Sequence, residues 1–127
     1  ELTEETRPLF EGHEGRVTWD YPIRSVETVE ALPWEPEWLN VKPSRFGSVR
    51  SLFETIEYCR EHGIGMFGGG QFELDVGRQH LHAIASLFYP TAPNDVAPKA
   101  YNDPDPGGDL PSSPLVPSSE LRGLAWK

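Results

Sequence analysis

The sequence has little sulfur: one cysteine and one methionine among 127 residues. A single cysteine excludes a disulfide within the chain, so we expect a reducing, cytoplasmic compartment. Cys59 falls on the apolar face of a predicted helix, which favours a buried small side chain over a nucleophile.

Positive charge is also scarce, with 11 Lys and Arg against 20 Asp and Glu and a net charge of −9. Nucleic-acid binding needs a basic stripe, so we expect no nucleic-acid partner. The scattered cations could instead serve an anionic small molecule, while most of the acidic excess aids solubility. No apolar run is long enough to cross a bilayer, and we expect neither a membrane partner nor a targeting segment before the folded part.

What is present is an alternation of helical and strand patterns in a chain long enough for one domain. Helices are predicted over residues 2–10, 25–32, 49–62 and 76–88. Strands are predicted over residues 16–21, 39–42, 64–67 and, more weakly, 95–101. Such alternation predicts an α/β fold with a parallel sheet in residues 1–101. Residues 102–127 are rich in Pro, Gly and Ser and predict an irregular tail, whose apolar end at 121–126 could dock on another surface.

Two architectures fit this pattern: a small open sheet, or a parallel (β/α) half-barrel, the C-terminal strands of a TIM-type barrel. The strand register favours the half-barrel. Each of the first two strands ends with an inward-facing charged residue, Asp20 and Lys42 respectively, whereas a strand buried on both faces of an open sheet should be apolar throughout. An acid and a lysine in the same register indicate a site at the barrel mouth.

The glycine-rich stretch around residues 63–78 satisfies G-x-G-x-x-G at Gly63, Gly65 and Gly68. The dinucleotide fingerprint requires a strand before the first glycine, whereas here a predicted helix precedes it. Gly63 is better explained as the left-handed residue that ends this helix. We therefore reject a Rossmann interpretation.

Four stretches together resemble the carboxyl-terminal half of the barrel in the enolase superfamily, on the mandelate racemase and muconate lactonizing enzyme side. They cover strands five to eight of that barrel and nearly the whole chain: 19–23, 39–47, 63–85, and 94–96 with the tail. The chain departs from the family at Tyr21 and Pro22, where relatives often have an acid and a serine. The family's first two metal-binding acids, its second-strand catalytic group and its capping domain have no counterpart, so we expect a fragment of a longer enzyme.

The resemblance implies a metal-dependent isomerase or lyase that abstracts the proton alpha to a carboxylate and stabilises an enediolate on Mg²⁺. It assigns Asp20 as a metal ligand and Lys42 as the catalytic acid/base. From the residues alone, Asp20 could instead cap a turn on the surface, and Lys42 could simply pair with it. The substrate would be a small carboxylate, and the full-length protein a homo-oligomer.

Five further residues are candidates for substrate binding: Asn40, Arg45, Gly69, Gly70 and Glu73. Glu73 could touch substrate, or it could pair with Arg45 or Arg78. The glycines could let the backbone approach a ligand closely, or they could only make a tight turn. His80 and His82 lie two apart on a helix and cannot share one metal, so we expect no zinc site.

The competing hypothesis is a stand-alone, non-catalytic α/β domain that binds a small anion or a partner chain. If the chain is instead half a barrel, its unpaired sheet edges predict that it self-associates or packs loosely by itself, and that it has no activity alone.

Overall fold

A computed structural model describes residues 2–71, 73, 75–96, 104–105 and 114–116 of the chain. Its strands are β1 (Thr18–Trp19), β2 (Trp38–Val41) and β3 (Gly65–Gly68). Its α-helices are α1 (Val26–Glu30), α2 (Val49–Glu61) and α3 (Asp75–Phe88), and short 3-10 turns cover Arg7–Phe10, Glu14–Arg16 and Pro43–Arg45.

The three strands form one parallel sheet in the order β1-β2-β3, with Trp19 opposite Leu39 and Leu39 opposite Met66. The α/β class and the parallel sheet are confirmed, whereas closure into a barrel stays a prediction. Of the expected fourth strand, Asp95 forms an isolated parallel bridge with Gly69, while positions 97–101 lie outside the described residues. Most of the predicted tail, including 121–126, lies outside them too.

Local signals in the sequence determine where the helices begin and end. Ser25 caps α1 in a capping box with Thr28, and Ser48 caps α2 by accepting a hydrogen bond from the Ser51 N–H at 3.1 Å. Such caps satisfy N–H groups that have no partner inside the helix. Gly63 follows α2 with a φ of 68°, so its predicted left-handed conformation is confirmed.

The core lies between the sheet and the helices. Leu39 and Val41 are fully buried on β2, and α2 and α3 contribute further apolar side chains: Leu52, Ile56, Cys59, Leu81, Ile84 and Ala85. The burial predicted for Cys59 is confirmed. The helical spacing of the sequence predicts Val49 and Phe53 in the same buried stripe as Leu52, Ile56 and Cys59, and this is wrong for both, since they are 52% and 41% exposed. No helix in the described part of the chain is both long and apolar enough to span a membrane.

The predictions for the first 21 residues are partly wrong. Instead of a helix over 2–10, reciprocal bonds between Thr3 and Thr6 hold a turn, with Thr3 N–H to Thr6 Oγ1 at 2.9 Å and Thr6 N–H to Thr3 Oγ1 at 3.2 Å. Side chains that bond the nearby backbone compete with helix formation in this way. The strand predicted over 16–21 is reduced to Thr18–Trp19, because the chain before it is wound into a 3-10 turn.

Candidate functional site

Asp20 and Lys42 meet at the carboxyl ends of neighbouring strands. Asp20 follows β1 and Lys42 follows β2, and the Lys42 Nζ donates to Oδ2 of Asp20 at 3.0 Å. Parallel pairing puts both strand ends at one edge of the sheet, where polar side chains of α/β proteins gather. The expected juxtaposition is present, and the catalytic and metal-binding roles remain predictions.

Arg45 joins this pair from the 3-10 turn that follows β2. Its Nη1 donates to the backbone carbonyl of Asp20 at 2.7 Å and forms an ion pair with Oδ1 of the same residue. The side chains of Lys42 and Arg45 are only 15% and 11% exposed, whereas Asp20 is 42% exposed. The Asp20 cluster (Asp20, Lys42 and Arg45) thus holds two sheltered cations and one more open carboxylate, a net charge of +1 for these three side chains.

Glu73 lies at the same edge, held by the loop after β2. The Ser44 Oγ donates to Oε1 of Glu73 at 2.8 Å, and the Gln71 N–H donates to Oε2. Burial acts to raise the pKa of the Glu73 carboxyl, but these hydrogen bonds and the charge of Lys42 outweigh it and hold the pKa below its usual value. Among the described residues Glu73 forms no ion pair with Arg45 or Arg78, although the Arg78 Nε donates to its backbone carbonyl at 3.3 Å.

Asn40 and Gly69 lie deeper under the cluster, on β2 and directly after β3. An added Cβ at Gly69 would collide with Oδ1 of Asn40 and lie 2.8 Å from Cε of Lys42. The Asn40 Oδ1 is itself buried and has no hydrogen-bond donor within the described residues. A Cβ at Gly70 would lie 2.9 Å from Oε2 of Glu73. These glycines therefore leave room for the site's own side chains. The predicted close approach of the backbone to a ligand stays a prediction.

Four residues that sequence reasoning missed complete this edge: Tyr21, Arg24, Ser44 and Gln71. With its amide oxygen facing Arg45, Gln71 accepts from Nε at 3.1 Å and from Nη2 at 3.2 Å. Tyr21 directly follows Asp20, and its ring centroid lies 5.3 Å from Cζ of Arg24 and 5.6 Å from Cζ of Arg45. Tyr21 beside Asp20 and Gln71 near Glu73 were usable signals, because these residues are close in sequence. The contacts of Ser44 with Glu73 and of Gln71 with Arg45 join residues that are distant in sequence.

Comparison with known proteins then places the chain in a family. The model described as "Domain of unknown function (DUF8230) C-terminal domain" matches residues 1–103. The chain belongs to the DUF8230 C-terminal domain family.

This DUF8230 domain is also similar to enzymes of the enolase superfamily. It is 34% identical to o-succinylbenzoate synthase of Bacillus subtilis over 68 residues, which are 53% of this chain and 18% of the enzyme. It is 33% identical to o-succinylbenzoate synthase of Listeria innocua over 84 residues, which are 65% of this chain and 22% of the enzyme.

A third relative is the N-succinylamino acid racemase of an Amycolatopsis species, 36% identical over 59 residues, or 46% of this chain and 16% of the racemase. The DUF8230 domain thus spans about a fifth of the length of the curated relatives it matches. No solved structure matches it significantly.

The superfamily resemblance implies a bound metal ion, and the oxygen donors at this edge can be compared with the ligands that such an ion needs. Magnesium takes oxygen ligands, commonly one or two carboxylates with water and substrate filling the other positions. Asp20 is an oxygen donor at the right edge, but both of its oxygens already contact cations. No group of three His, Cys, Asp or Glu side chains that could hold a metal occurs within the described residues. The described residues therefore fit the metal as the source of one ligand, Asp20, and do not provide a full set.

Proposed function

We propose that the DUF8230 domain is part of a longer isomerase or lyase that removes the proton alpha to the carboxylate of a small substrate. The observation that carries this proposal is the Asp20–Lys42 pair, 3.0 Å apart at the carboxyl ends of adjacent parallel strands. The same chain is similar to o-succinylbenzoate synthases and to a racemase. The geometry of the pair and the similarity to these enzymes support the same type of chemistry.

The architecture proposed for the longer protein is the (β/α) barrel, of which β1, β2 and β3 would be consecutive strands. Two features support closure. The β1 edge faces no further strand within the described residues, and Asp95 already bridges to Gly69 on the far side of β3. A barrel would pair both edges, which removes the aggregation hazard of open strands.

Lys42 is the residue that would carry the proton. Its Nζ is held on Asp20, its side chain is largely sheltered, and its stem passes close to Gly69. These contacts restrict the ammonium to one position, and a fixed position makes proton transfer to and from a bound carbon acid efficient. Arg45 holds the other oxygen of Asp20, so Asp20 cannot swing away from Lys42.

In the complete protein Asp20 would contribute one oxygen ligand to a divalent cation, with Mg²⁺ the proposed ion. When bound, such an ion supplies positive charge that offsets the charge developing on the substrate carboxylate. The other ligands would have to come from outside the described residues. Asn40, Gly69, Gly70 and Glu73 line the same edge and would bound the space for substrate. A homo-oligomer is proposed for the full-length protein on the resemblance alone.

The proposal is tested with Lys42→Ala in the full-length protein, because Asp20 is the one candidate metal ligand among the described residues of the DUF8230 domain. Deuterium wash-in from heavy water into a carboxylate substrate, followed by proton NMR, reports removal of the alpha proton. We expect the exchange rate to fall by at least about two orders of magnitude, the range of general acid–base catalysis. Arg60→Gln is the matched control, since Arg60 is an exposed cation at the other end of α2. Exchange at the wild-type rate in Lys42→Ala would refute the proposal.

The second candidate function is a stand-alone domain that binds a small anion without catalysis. It is favoured by the surplus positive charge of the Asp20 cluster. The two candidates differ in what precedes Glu1 in the genome. An open reading frame that continues upstream with acids at two further predicted strand ends supports the enzyme, whereas a start codon immediately upstream supports the binding domain.

A further inference from the structure

Arg24 is the exposed cation next to the Asp20 cluster whose guanidinium the proposed chemistry does not use. It stacks on Tyr21, with its Cζ 5.3 Å from the ring centroid, and the other cation near that ring is Arg45. Arg24 is therefore one aromatic ring away from the residue that holds Asp20. Within the described residues Arg24 forms no ion pair, in contrast to Lys42 and Arg45.

The backbone of Arg24 is fixed although its side chain is exposed. Its N–H donates to Oγ1 of Thr28 at 2.9 Å, and its carbonyl accepts from Oγ of Ser51 at 3.3 Å. These bonds connect the residue to α1 and α2, so the guanidinium starts from a rigid base. Stacking on Tyr21 restricts it further, and a restricted arginine loses less entropy when it binds a ligand.

A stacked guanidinium uses its face and leaves its N–H edge open. That edge presents parallel donors that match the two oxygens of a carboxylate. The Tyr21 ring beside it is 71% exposed and offers an apolar wall for the carbon chain leading to such a group. The edge of the Arg24 guanidinium and the face of the Tyr21 ring together form a surface that can recognise an anionic group at the end of a short carbon chain.

We propose that Arg24, supported by Tyr21, binds a second carboxylate of the substrate, remote from the carbon that loses its proton. This inference rests on the proposed function, because Lys42 and the Asp20 cluster are taken to act at the first carboxylate. Arg24 would then be a specificity-determining residue that selects dicarboxylates over monocarboxylates. Arg45 cannot take that role, because Nη1 contacts Asp20 and Nε and Nη2 face Gln71.

The experiment compares two probes on the full-length protein: a dicarboxylate, and its analogue in which the remote carboxylate is a carboxamide. Deuterium wash-in gives kcat and KM for each. For Arg24→Gln we expect KM for the dicarboxylate to rise about ten- to hundredfold, the loss expected for hydrogen bonds to a charged group. We expect kcat to change little, and KM for the carboxamide to stay within about twofold of wild type.

Three further variants separate recognition from structure. Arg24→Lys keeps the charge but loses the paired donors, so KM for the dicarboxylate should rise to an intermediate value. Tyr21→Ala removes the ring on which Arg24 stacks, so KM for the dicarboxylate should rise with little change in kcat. Arg60→Gln removes an equal charge far from the site. The inference is overturned if Arg24→Gln and Arg60→Gln have the same KM for the dicarboxylate, or if both probes lose affinity equally.

Calorimetry of dicarboxylate binding distinguishes this inference from the proposed function. Binding that weakens in Arg24→Gln, with no proton exchange in the wild-type protein, supports Arg24 and refutes the isomerase or lyase proposal. Proton exchange in the wild-type protein, with unchanged dicarboxylate binding in Arg24→Gln, refutes the role of Arg24 and leaves the proposed function standing.

Discussion

Gly69 is the position where the structure leaves the least room for a side chain at the site. Gly69→Ala would drive a Cβ into Oδ1 of Asn40, and would put it 3.0 Å from Cγ of Asn40 and 2.8 Å from Cε of Lys42. Real Cβ atoms do not approach other atoms so closely, so both neighbouring side chains must move. We expect the substitution to reduce stability and to displace Lys42 from Asp20.

The size of the effect follows from two opposing contributions. Overpacking a tight site costs about 1–3 kcal/mol, while replacing glycine by alanine in a strand-like position restores up to about 1 kcal/mol of backbone entropy. The net loss should be about 1–2 kcal/mol. At an m-value of about 2 kcal/mol/M, the urea midpoint of the full-length protein should fall by roughly 0.5–1 M.

Asn40→Ala provides the decisive test, because it removes two of the three atoms that the new Cβ would strike, including the nearest, and leaves only the flexible end of Lys42. The Asn40 Oδ1 has no donor within the described residues, so its removal breaks no bond seen there. The double variant should recover most of the loss, with a coupling energy of about 1 kcal/mol or more. Gly63→Ala is the matched control: a Cβ there meets open space, but φ is 68°, so its cost of about 1 kcal/mol should be unaffected by Asn40→Ala. Additive effects of Gly69→Ala and Asn40→Ala would refute the steric explanation.

Three other predictions test the remaining groups. Asp20→Asn should weaken Mg²⁺ binding and proton exchange together in the full-length protein; calorimetry with Mg²⁺ alone that shows unchanged affinity would rule Asp20 out as a ligand. The pKa of Glu73 is held below its usual value of 4.5, so the ionised carboxylate stabilises the fold above pH 4.5, and this stabilisation is lost as the pH falls through the folded-state pKa. Ser44→Ala should raise that pKa toward 4.5 in a carboxyl NMR titration. An unchanged titration midpoint would contradict the hydrogen-bond explanation. Burial raises the pKa of Cys59 to about 11, so iodoacetamide at pH 8 should modify it only after denaturation, and rapid modification of the folded protein would contradict this.

Local rules account for the parts of the fold that the sequence predicted well. The apolar spacing of α2 and the turn at Gly63 each depend on neighbours within about four residues. The caps Ser25 and Ser48, found in the structure, follow the same kind of local rule. Alternation along β2 determined which face carries Asn40 and Lys42. Because parallel strands end at the same edge of a sheet, the meeting of Asp20 and Lys42 followed from those local assignments.

What the sequence could not predict depends on contacts between distant residues. Arg45 reaches Asp20 across 25 positions, and Ser44 reaches Glu73 across 29. A periodic pattern contains no information about which long side chain folds back onto which strand end. The wrong prediction for residues 2–10 has a different cause. Thr3 and Thr6 can either form hydrogen bonds with each other in a turn or be part of a helix, and composition alone does not decide between the turn and the helix.

The charges of the Asp20 cluster bear on how many acidic side chains a metal site in the complete protein would need. Lys42 and Arg45 already place two positive charges on one carboxylate. A divalent ion at the same carboxylate would bring four positive charges against one negative charge, and like charges a few ångströms apart repel by several kcal/mol at an intermediate dielectric. The substrate carboxylate and Glu73, whose pKa the charge of Lys42 helps to lower, each offset one of them, so one positive charge remains unbalanced among these groups. If a divalent ion binds at Asp20, this charge balance favours at least one additional carboxylate near it, in agreement with the acids that the superfamily resemblance assigns to earlier strands.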